Sequence, residues 1–288
     1  MTNIKDYDNN ITPNWCPGCG HFSIQRALQV VASRLEIPNE KMMVVSGIGC
    51  SGRISGYMNT YSFHGIHGRS LPIAQGIKAS NKDLTVIAAG GDGDGFAIGL
   101  SHTLHAIRRN MNVTYIVLNN QIYGLTKGHT SPLSEVGFQT KSTPTGSLEN
   151  PIRPGIVALS NGITFLGQGF SAYQEQLIDT IVKAVQHDGF SLVNVFSPCV
   201  TYNKINTYQW FREHLVKLDE DEGYNPQDYQ MAMNKLIETD GLCTGIIYQN
   251  EGTPSLLEQL QPKDASALSK MDLQLSKDHF NSIINQYR

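Results

Sequence analysis

Charge is scarce in this chain. Lys, Arg, Asp and Glu together make up 16% of its 288 residues, and the formal net charge is −3. No basic block is present, which argues against a nucleic-acid partner, because affinity for a phosphate backbone comes from clustered Lys and Arg. Nor does any apolar run reach the roughly 20 residues a membrane-spanning helix needs, so no membrane partner is expected. Residues 1–6 lack the apolar core of a secretion signal, and the expected location is cytoplasmic. In that reducing compartment the five cysteines do not read as a disulfide framework. Low charge is compatible with ordinary variation and equally with surface covered by partner chains.

What is present alternates between apolar runs and amphipathic stretches, the pattern of an α/β protein. Periodicity predicts helices over 22–35, 71–78, 96–109 and 173–187, the first burying Ile24, Ala27, Leu28 and Val31. Short apolar runs predict strands at 42–45, 84–89, 113–118, 163–166 and 191–196. Buried strands joined by helices imply a doubly wound parallel sheet. Beyond residue 202 the texture changes to the acidic run Asp219–Glu222, scattered prolines and short amphipathic pieces. The division expected is therefore 1–202 as the core domain and 203–288 as a peripheral C-terminal extension.

The most informative stretch is Gly90, Gly91, Asp92, Gly93, Asp94 and Gly95, directly after a predicted strand. Asn119 and Asn120 follow the next strand, Asn120 lying 28 residues after Asp92. Parallel strands end on one edge, so a carboxylate and an amide oxygen would stand side by side there. Both are hard oxygen ligands, suited to Mg²⁺ holding a diphosphate. Glycines flanking Asp92 let backbone approach the phosphates without a Cβ in the way.

Cys16 and Cys19 form a close pair just before a predicted helix. Cys50 and Cys199 each lie just past a predicted strand, so the same sheet edge would gather all four. Four thiolates suit zinc or a 4Fe-4S cluster, and by spacing alone unligated redox thiols stay open as well. Cys243 reads as a small hydrophobe.

Taken together, the segments 15–21 (WCPGCGH), 47–52 (GIGCSG), 64–69 (HGIHGR), 90–95 (GGDGDG), 119–128 (NNQIYGLTKG) and 197–199 (SPC) resemble the β subunits of 2-oxoacid:ferredoxin oxidoreductases, most nearly those acting on 2-oxoglutarate. The resemblance covers residues 15 to about 203 and implies a thiamine diphosphate-binding fold of the diphosphate-holding kind. It implies a 4Fe-4S cluster on Cys16, Cys19, Cys50 and Cys199. It also implies Mg²⁺ on Asp92, Asn120 and the backbone carbonyl of Ile122, bridging the phosphates of thiamine diphosphate. The activity implied is oxidative decarboxylation of a 2-oxoacid to an acyl-coenzyme A and CO₂, with electrons leaving through the cluster to ferredoxin. Pyruvate or a broad 2-oxoacid range is the alternative substrate, and a non-redox thiamine diphosphate decarboxylase the alternative enzyme. The family's α subunit supplies the pyrimidine end of the cofactor. No carboxylate for that end stands out here, so the chain is expected to be inactive alone.

Further site residues follow from the same segments. Gly49, Ser51, Gly68, Arg69, Gly91, Gly93, Asp94, Tyr123, Gly124 and Leu125 are expected around the cofactor. His67 is expected there too, in phosphate contact or proton transfer; His64 reads more as a surface residue. Arg53 is a candidate partner for the distal carboxylate of 2-oxoglutarate, and Lys127 a candidate facing the substrate. For Arg53, Arg69 and Lys127 an ordinary solvated charge is the competing reading. Asp94 is expected to support its loop rather than bind metal, and His102 and His105 to be ordinary helix residues.

Overall fold

The computed structural model describes residues 3–262, 264–272 and 274–287. Ten strands are named here: β1 (Met42–Ser46), β2 (Tyr61–His64), β3 (Thr85–Gly91), β4 (Val113–Asn119), β5 (Ile122–Tyr123), β6 (His129–Thr130), β7 (Phe165–Phe170), β8 (Phe190–Phe196), β9 (Val216–Lys217) and β10 (Cys243–Gln249). Eight of them form one sheet in the order β2-β1-β3-β4-β8-β7-β10-β9, and β5 and β6 form a small hairpin. The pairings from β2 through β7 are all parallel, while β10 runs antiparallel to β7. The principal helices are α1 (His21–Arg34), α2 (Ser70–Ser80), α3 (Leu100–Arg109), α4 (Pro154–Ser160), α5 (Gln174–Gln186), α6 (Tyr208–His214) and α7 (Tyr229–Glu238).

Strand alternation builds two cores, one on each face of the sheet. From β3, Ile87 and Ala89 enter one core, while Val86 and Ala88 enter the other. From β4, Ile116 and Leu118 face the first, Tyr115 and Val117 the second. The first core is closed by Ile24, Ala27, Leu28 and Val31 of α1 with Leu177, Ile178 and Ile181 of α5. The second lies under α2, α3, α4 and α7. Burying a side chain such as Leu28 completely contributes about 1.5–3 kcal/mol.

The predicted helices over 22–35, 71–78 and 173–187 coincide with α1, α2 and α5 to within a few residues. The expected helix over 96–109 is instead two pieces, a π-helical turn at Asp94–Ile98 and then α3, joined at Gly99. The strand expected at 163–166 occupies Phe165–Phe170, because Gly167 and Gly169 blur its apolar pattern. Both glycines are packing requirements: a Cβ on them would stand 2.6 Å from Thr180 and 2.7 Å from Leu177 of α5. β2 goes beyond the sequence expectation, since all four of its residues are exposed and it carries no buried alternation. β10 does so too, and it brings part of 203–288 into the sheet, with Cys243 fully buried.

The chain leaves β1 outward to β2 and then returns to β3 on the other side of β1. That reversal opens a crevice at the carboxyl ends of β1 and β3, where open α/β sheets bind ligands. No helix among the described residues is long and apolar enough to cross a membrane.

Candidate functional site

A cavity of about 380 Å³ opens at this crevice, walled by the segments that follow β1, β3 and β4. Gly49, Cys50 and Ser51 come from the turn after β1, and Gly91, Asp92, Gly93 and Asp94 from the end of β3. Asn120, Ile122, Tyr123, Gly124 and Leu125 come from the loop after β4.

Asp92 is 2% exposed. Burial pushes its carboxyl up to about 6, against the pull of a Ser131 hydroxyl and of backbone N–H donors including those of Asn120 and Gly93. Ser131 Oγ donates to Asp92 Oδ2 at 2.5 Å, Ser134 Oγ lies 3.5 Å from Ser131 Oγ, and Ser134 Oγ donates to the carbonyl of Gln121 at 2.7 Å. Two serines thus link the carboxylate after β3 to the loop after β4. In that loop the Ile122 N–H donates to Asn120 Oδ1 at 3.1 Å, and Gln121 takes φ 55°, the left-handed region that ordinary residues avoid. Strain of this kind persists where the surroundings over-determine it and where function needs the geometry.

Asp94 is a brace. Its Oδ1 accepts from the N–H groups of Ile48 and Gly68, at 2.9 and 2.8 Å, joining the turn after β1 to the loop before α2. Gly47 must be glycine for this, because a Cβ there would lie 2.0 Å from Asp94 Oδ2. That second oxygen is buried without a partner. His67 Nδ1 stands 3.0 Å from Asp94 Oδ1, close enough for an ion pair but out of line for a hydrogen bond. Gly93 gives room for Tyr123, whose ring would meet a Cβ there at 2.1 Å.

The four cysteines converge beside the same cavity. A Cβ on Gly124 would sit in van der Waals contact, 3.6 Å, with both Cys50 Sγ and Cys199 Sγ, which places these two thiols beside the loop after β4. Burial pushes the Cys19 thiol up to about 12, with the charges of Cys199, Cys50 and Cys16 adding to it, while the His21 backbone N–H opposes. Burial likewise pushes Cys50 up to about 11, with Cys199 and Cys16 adding. Trp15 fixes the group: its Nε1–H donates to the Cys50 carbonyl at 2.8 Å, and its ring meets His21, Phe22 and Tyr57 edge-on. Among the described residues, no three His, Cys, Asp or Glu side chains stand close enough to hold one metal ion.

Several expected residues lie away from the cavity wall. Arg53 is exposed, its Nε 3.3 Å from the Tyr57 hydroxyl. Lys127 is exposed at φ 70° and faces a neighbouring cavity that shares Ile122. Arg69 turns to the carbonyls of Gly68 and Ile98, and Gly68 contributes its N–H to Asp94. His64 is exposed. Conversely, His21 lines the cavity although its segment alone gives it no role. It is fully buried, held neutral by a pKa lowered to about 4, with Nδ1 2.7 Å from Ser197 Oγ and Nε2 unpartnered. Its place two residues after Cys19 is the one signal that points to it. Ser131, 39 residues from Asp92, has none.

Comparison with known proteins agrees with this architecture. Residues 47–195 match the family model of the thiamine pyrophosphate enzymes, C-terminal TPP binding domain, and residues 199–264 match the model for the C terminal of the pyruvate ferredoxin oxidoreductase beta subunit. The second match covers much of the extension, which carries no motif usable by inspection. The 2-oxoacid:ferredoxin oxidoreductase 2, subunit beta, of Aeropyrum pernix is 39% identical over 266 residues, covering 89% of this chain and 86% of that one. The 2-oxoglutarate oxidoreductase subunit KorB of Mycobacterium tuberculosis is 44% identical over 199 residues, 69% of this chain and 53% of its own length. A solved structure, the 2-oxoglutarate:ferredoxin oxidoreductase from Magnetococcus marinus with 2-oxoglutarate, coenzyme A and succinyl-CoA bound, superposes with a TM-score of 0.89 at 36% identity, over 100% of this chain and 96% of that one. With a thiamine pyrophosphate model spanning half of the sequence and such relatives along most of it, the chain belongs to the β subunits of the 2-oxoacid:ferredoxin oxidoreductases.

Proposed function

We propose that this subunit holds the diphosphate end of thiamine diphosphate through Mg²⁺ on Asp92, Asn120 and the Ile122 carbonyl, and carries one 4Fe-4S cluster on Cys16, Cys19, Cys50 and Cys199. The observation that carries the reading is that Cys50 lines the cavity that also bears Asp92 and Asn120, with Cys16, Cys19 and Cys199 gathered close enough to it to interact. The donor sets fit: hard oxygens beside glycine-lined backbone for the metal diphosphate, and four cysteines whose thiolate charges a cationic iron core would neutralise. Gly91, Gly93 and Gly124 keep the wall free of side chains where those groups would sit.

The substrate is a 2-oxoacid, and 2-oxoglutarate is favoured by the KorB relatives and by the ligands of the Magnetococcus marinus enzyme. The cofactor site is completed by an α subunit. Coenzyme A takes the acyl group, ferredoxin takes the electrons, and the cytoplasm supplies the reducing conditions. Bound thiamine diphosphate supplies an electron sink for decarboxylation, and the cluster a one-electron outlet. The chain's own part is to orient and exclude water. Asp92 and Asn120 hold the cation, Asp94 ties the turn after β1 to the loop before α2, and neutral His21 lines the cavity together with Cys50. His67, Tyr123 and Leu125 line the reactant side, while Arg53, Arg69 and Lys127 serve at the entrance covered by the α subunit.

The test is spectroscopic. The α–β complex purified without oxygen is expected to be brown and to carry about four irons per β chain. Its broad visible absorption should bleach on reduction, and 2-oxoglutarate with coenzyme A should bleach it faster than pyruvate does. A colourless complex holding stoichiometric zinc overturns the cluster assignment, and equal bleaching by both oxoacids overturns the substrate assignment.

A further inference from the structure

Successive residues from Asn119, the last of β4, to Ile122 alternate between two cavities. Asn120 and Ile122 line the large one, whereas Asn119 and Gln121 line a second of about 40 Å³. This smaller cavity also receives Asn194 of β8, Gln168 of β7 and Arg153.

Two of its lining side chains present buried oxygens without partners, Gln121 Oε1 and Asn194 Oδ1. Gln121 is 7% exposed and Asn194 is 1% exposed, so water outside the protein does not serve them. The orientation of Asn194 is dictated by its neighbours. Gln168 Nε2 donates to the carbonyls of Gly241 and Cys243, at 2.6 Å each, which turns Gln168 Oε1 toward Asn194. Asn194 Nδ2 donates to that oxygen at 2.7 Å. Rotating the Asn194 amide would set two oxygens against each other, so Oδ1 stays aimed away from Gln168 and lacks a donor.

A buried carbonyl oxygen without a donor costs free energy, and two in one small cavity call for a molecule that donates twice. Arg153 does not fill that need: four of its five N–H groups are committed to Glu135 and Asp240, and neither orphan oxygen accepts from the fifth. A volume of 40 Å³ holds two or three waters at about 10–15 Å³ each. We propose that this cavity is a binding site for ordered water, which donates to Asn194 Oδ1 and Gln121 Oε1 and thereby holds the Asn120–Ile122 turn in position.

Gln121 is the residue that needs holding. Its backbone is left-handed, its N–H reaches Asn119 Oδ1 at 3.2 Å, and its carbonyl is met by Ser134. The water anchors the side chain as well, making Gln121 a positioning residue for the two ligands beside it. That positioning role rests on the metal assignment proposed above; the water itself does not.

A crystal structure of the α–β complex, at a resolution that shows ordered water, is expected to place one within about 2.7–3.2 Å of each oxygen. An empty cavity overturns the proposal, as does rubidium taking the place after a soak. Gln121→Met keeps the length of the side chain and removes the acceptor. It is expected to lose that water and to weaken Mg²⁺ binding in the presence of thiamine diphosphate about tenfold. Iron content and the thermal unfolding midpoint should stay as they are. Unchanged Mg²⁺ affinity with the water gone overturns the positioning role. A wild-type complex that binds no Mg²⁺ overturns the metal assignment instead, and the water test still decides the hydration.

Discussion

The two ends of the parallel sheet use the same residue types for opposite purposes. At the amino ends of β4, β7 and β8, polar groups satisfy one another. Asn110 Oδ1 accepts from Thr164 Oγ1 at 2.7 Å and from the Phe190 N–H at 2.8 Å, and Asn110 Nδ2 donates to the Thr253 carbonyl at 3.2 Å. His187 Nε2 stands 2.8 Å from the same threonine hydroxyl. At the carboxyl ends the groups are as buried but incompletely paired: Asp94 Oδ2, His21 Nε2 and Gln121 Oε1 have no partner. A closed network stabilises the fold; an open one of equal burial stores cost that a ligand relieves. Burial and polarity alone therefore do not mark the site. What distinguishes this edge is that its unpaired atoms fall on residues in and beside the proposed site, although Thr244 Oγ1 and Gln261 Oε1 are unpaired away from it.

If that contrast is right, the two ends separate under mutation. Asp92→Ala is expected to carry the largest effect, weakening thiamine diphosphate binding by more than about 100-fold. As the proposed metal ligand, it should cost at least what a ligand's supporting residues do. Iron content and visible absorption should survive, and the thermal midpoint should hold or rise, since a buried carboxylate with a raised pKa is removed. Calorimetric titration of the complex measures the first, and differential scanning calorimetry the second. Unchanged cofactor affinity would break the comparison.

Asn110→Ala is the mirror experiment. It deletes three hydrogen bonds, leaves the Phe190 N–H without its acceptor, and places alanine at φ 47°. A loss of about 2 kcal/mol in unfolding free energy is expected, with cofactor affinity unchanged. Chemical denaturation of the complex checks the first half. An affinity loss comparable to that of Asp92→Ala would show that the amino end is not merely structural.

How much of this is legible in the sequence depends on whether a residue's role is set locally. Asp92 and Asn120 are readable because each follows an apolar strand and parallel strands end together. The four cysteines share that logic, since each lies beside a strand end or a helix start. The two cores follow from periodicity in α1, β3 and β4. By contrast, Arg53 lies in the 3-10 turn Ser51–Tyr57 and Lys127 on a loop at φ 70°, both exposed to solvent, and nothing in their neighbours announces it. Ser131 and Ser134 reach Asp92 and Gln121 only through a long loop closure. β10 reads as a tail segment until β7 is there to pair with it.

The smallest expected effect sharpens the comparison with pH. Burial lowers the pKa of His187, against smaller opposing contributions from Asp188 and Glu251. In the unfolded chain the imidazole returns to about 6.5. Between the two values the unfolded state binds the extra proton, so folding stability rises with pH through that window. The contribution is fully present above about 6.5, is lost as pH falls toward the folded value, and changes no further below it. His187→Gln keeps a hydrogen-bonding side chain beside Thr164 without a titration, and is expected to flatten that part of the stability profile. The difference should be a fraction of the Asn110→Ala loss, read from denaturation curves between about pH 5 and 8. Cofactor affinity measured at each pH should not distinguish the variant from the parent. A saturated amino end predicts a pH effect on folding without one on binding, and a shift in both would mean that the two ends of the sheet are coupled through β4 and β8.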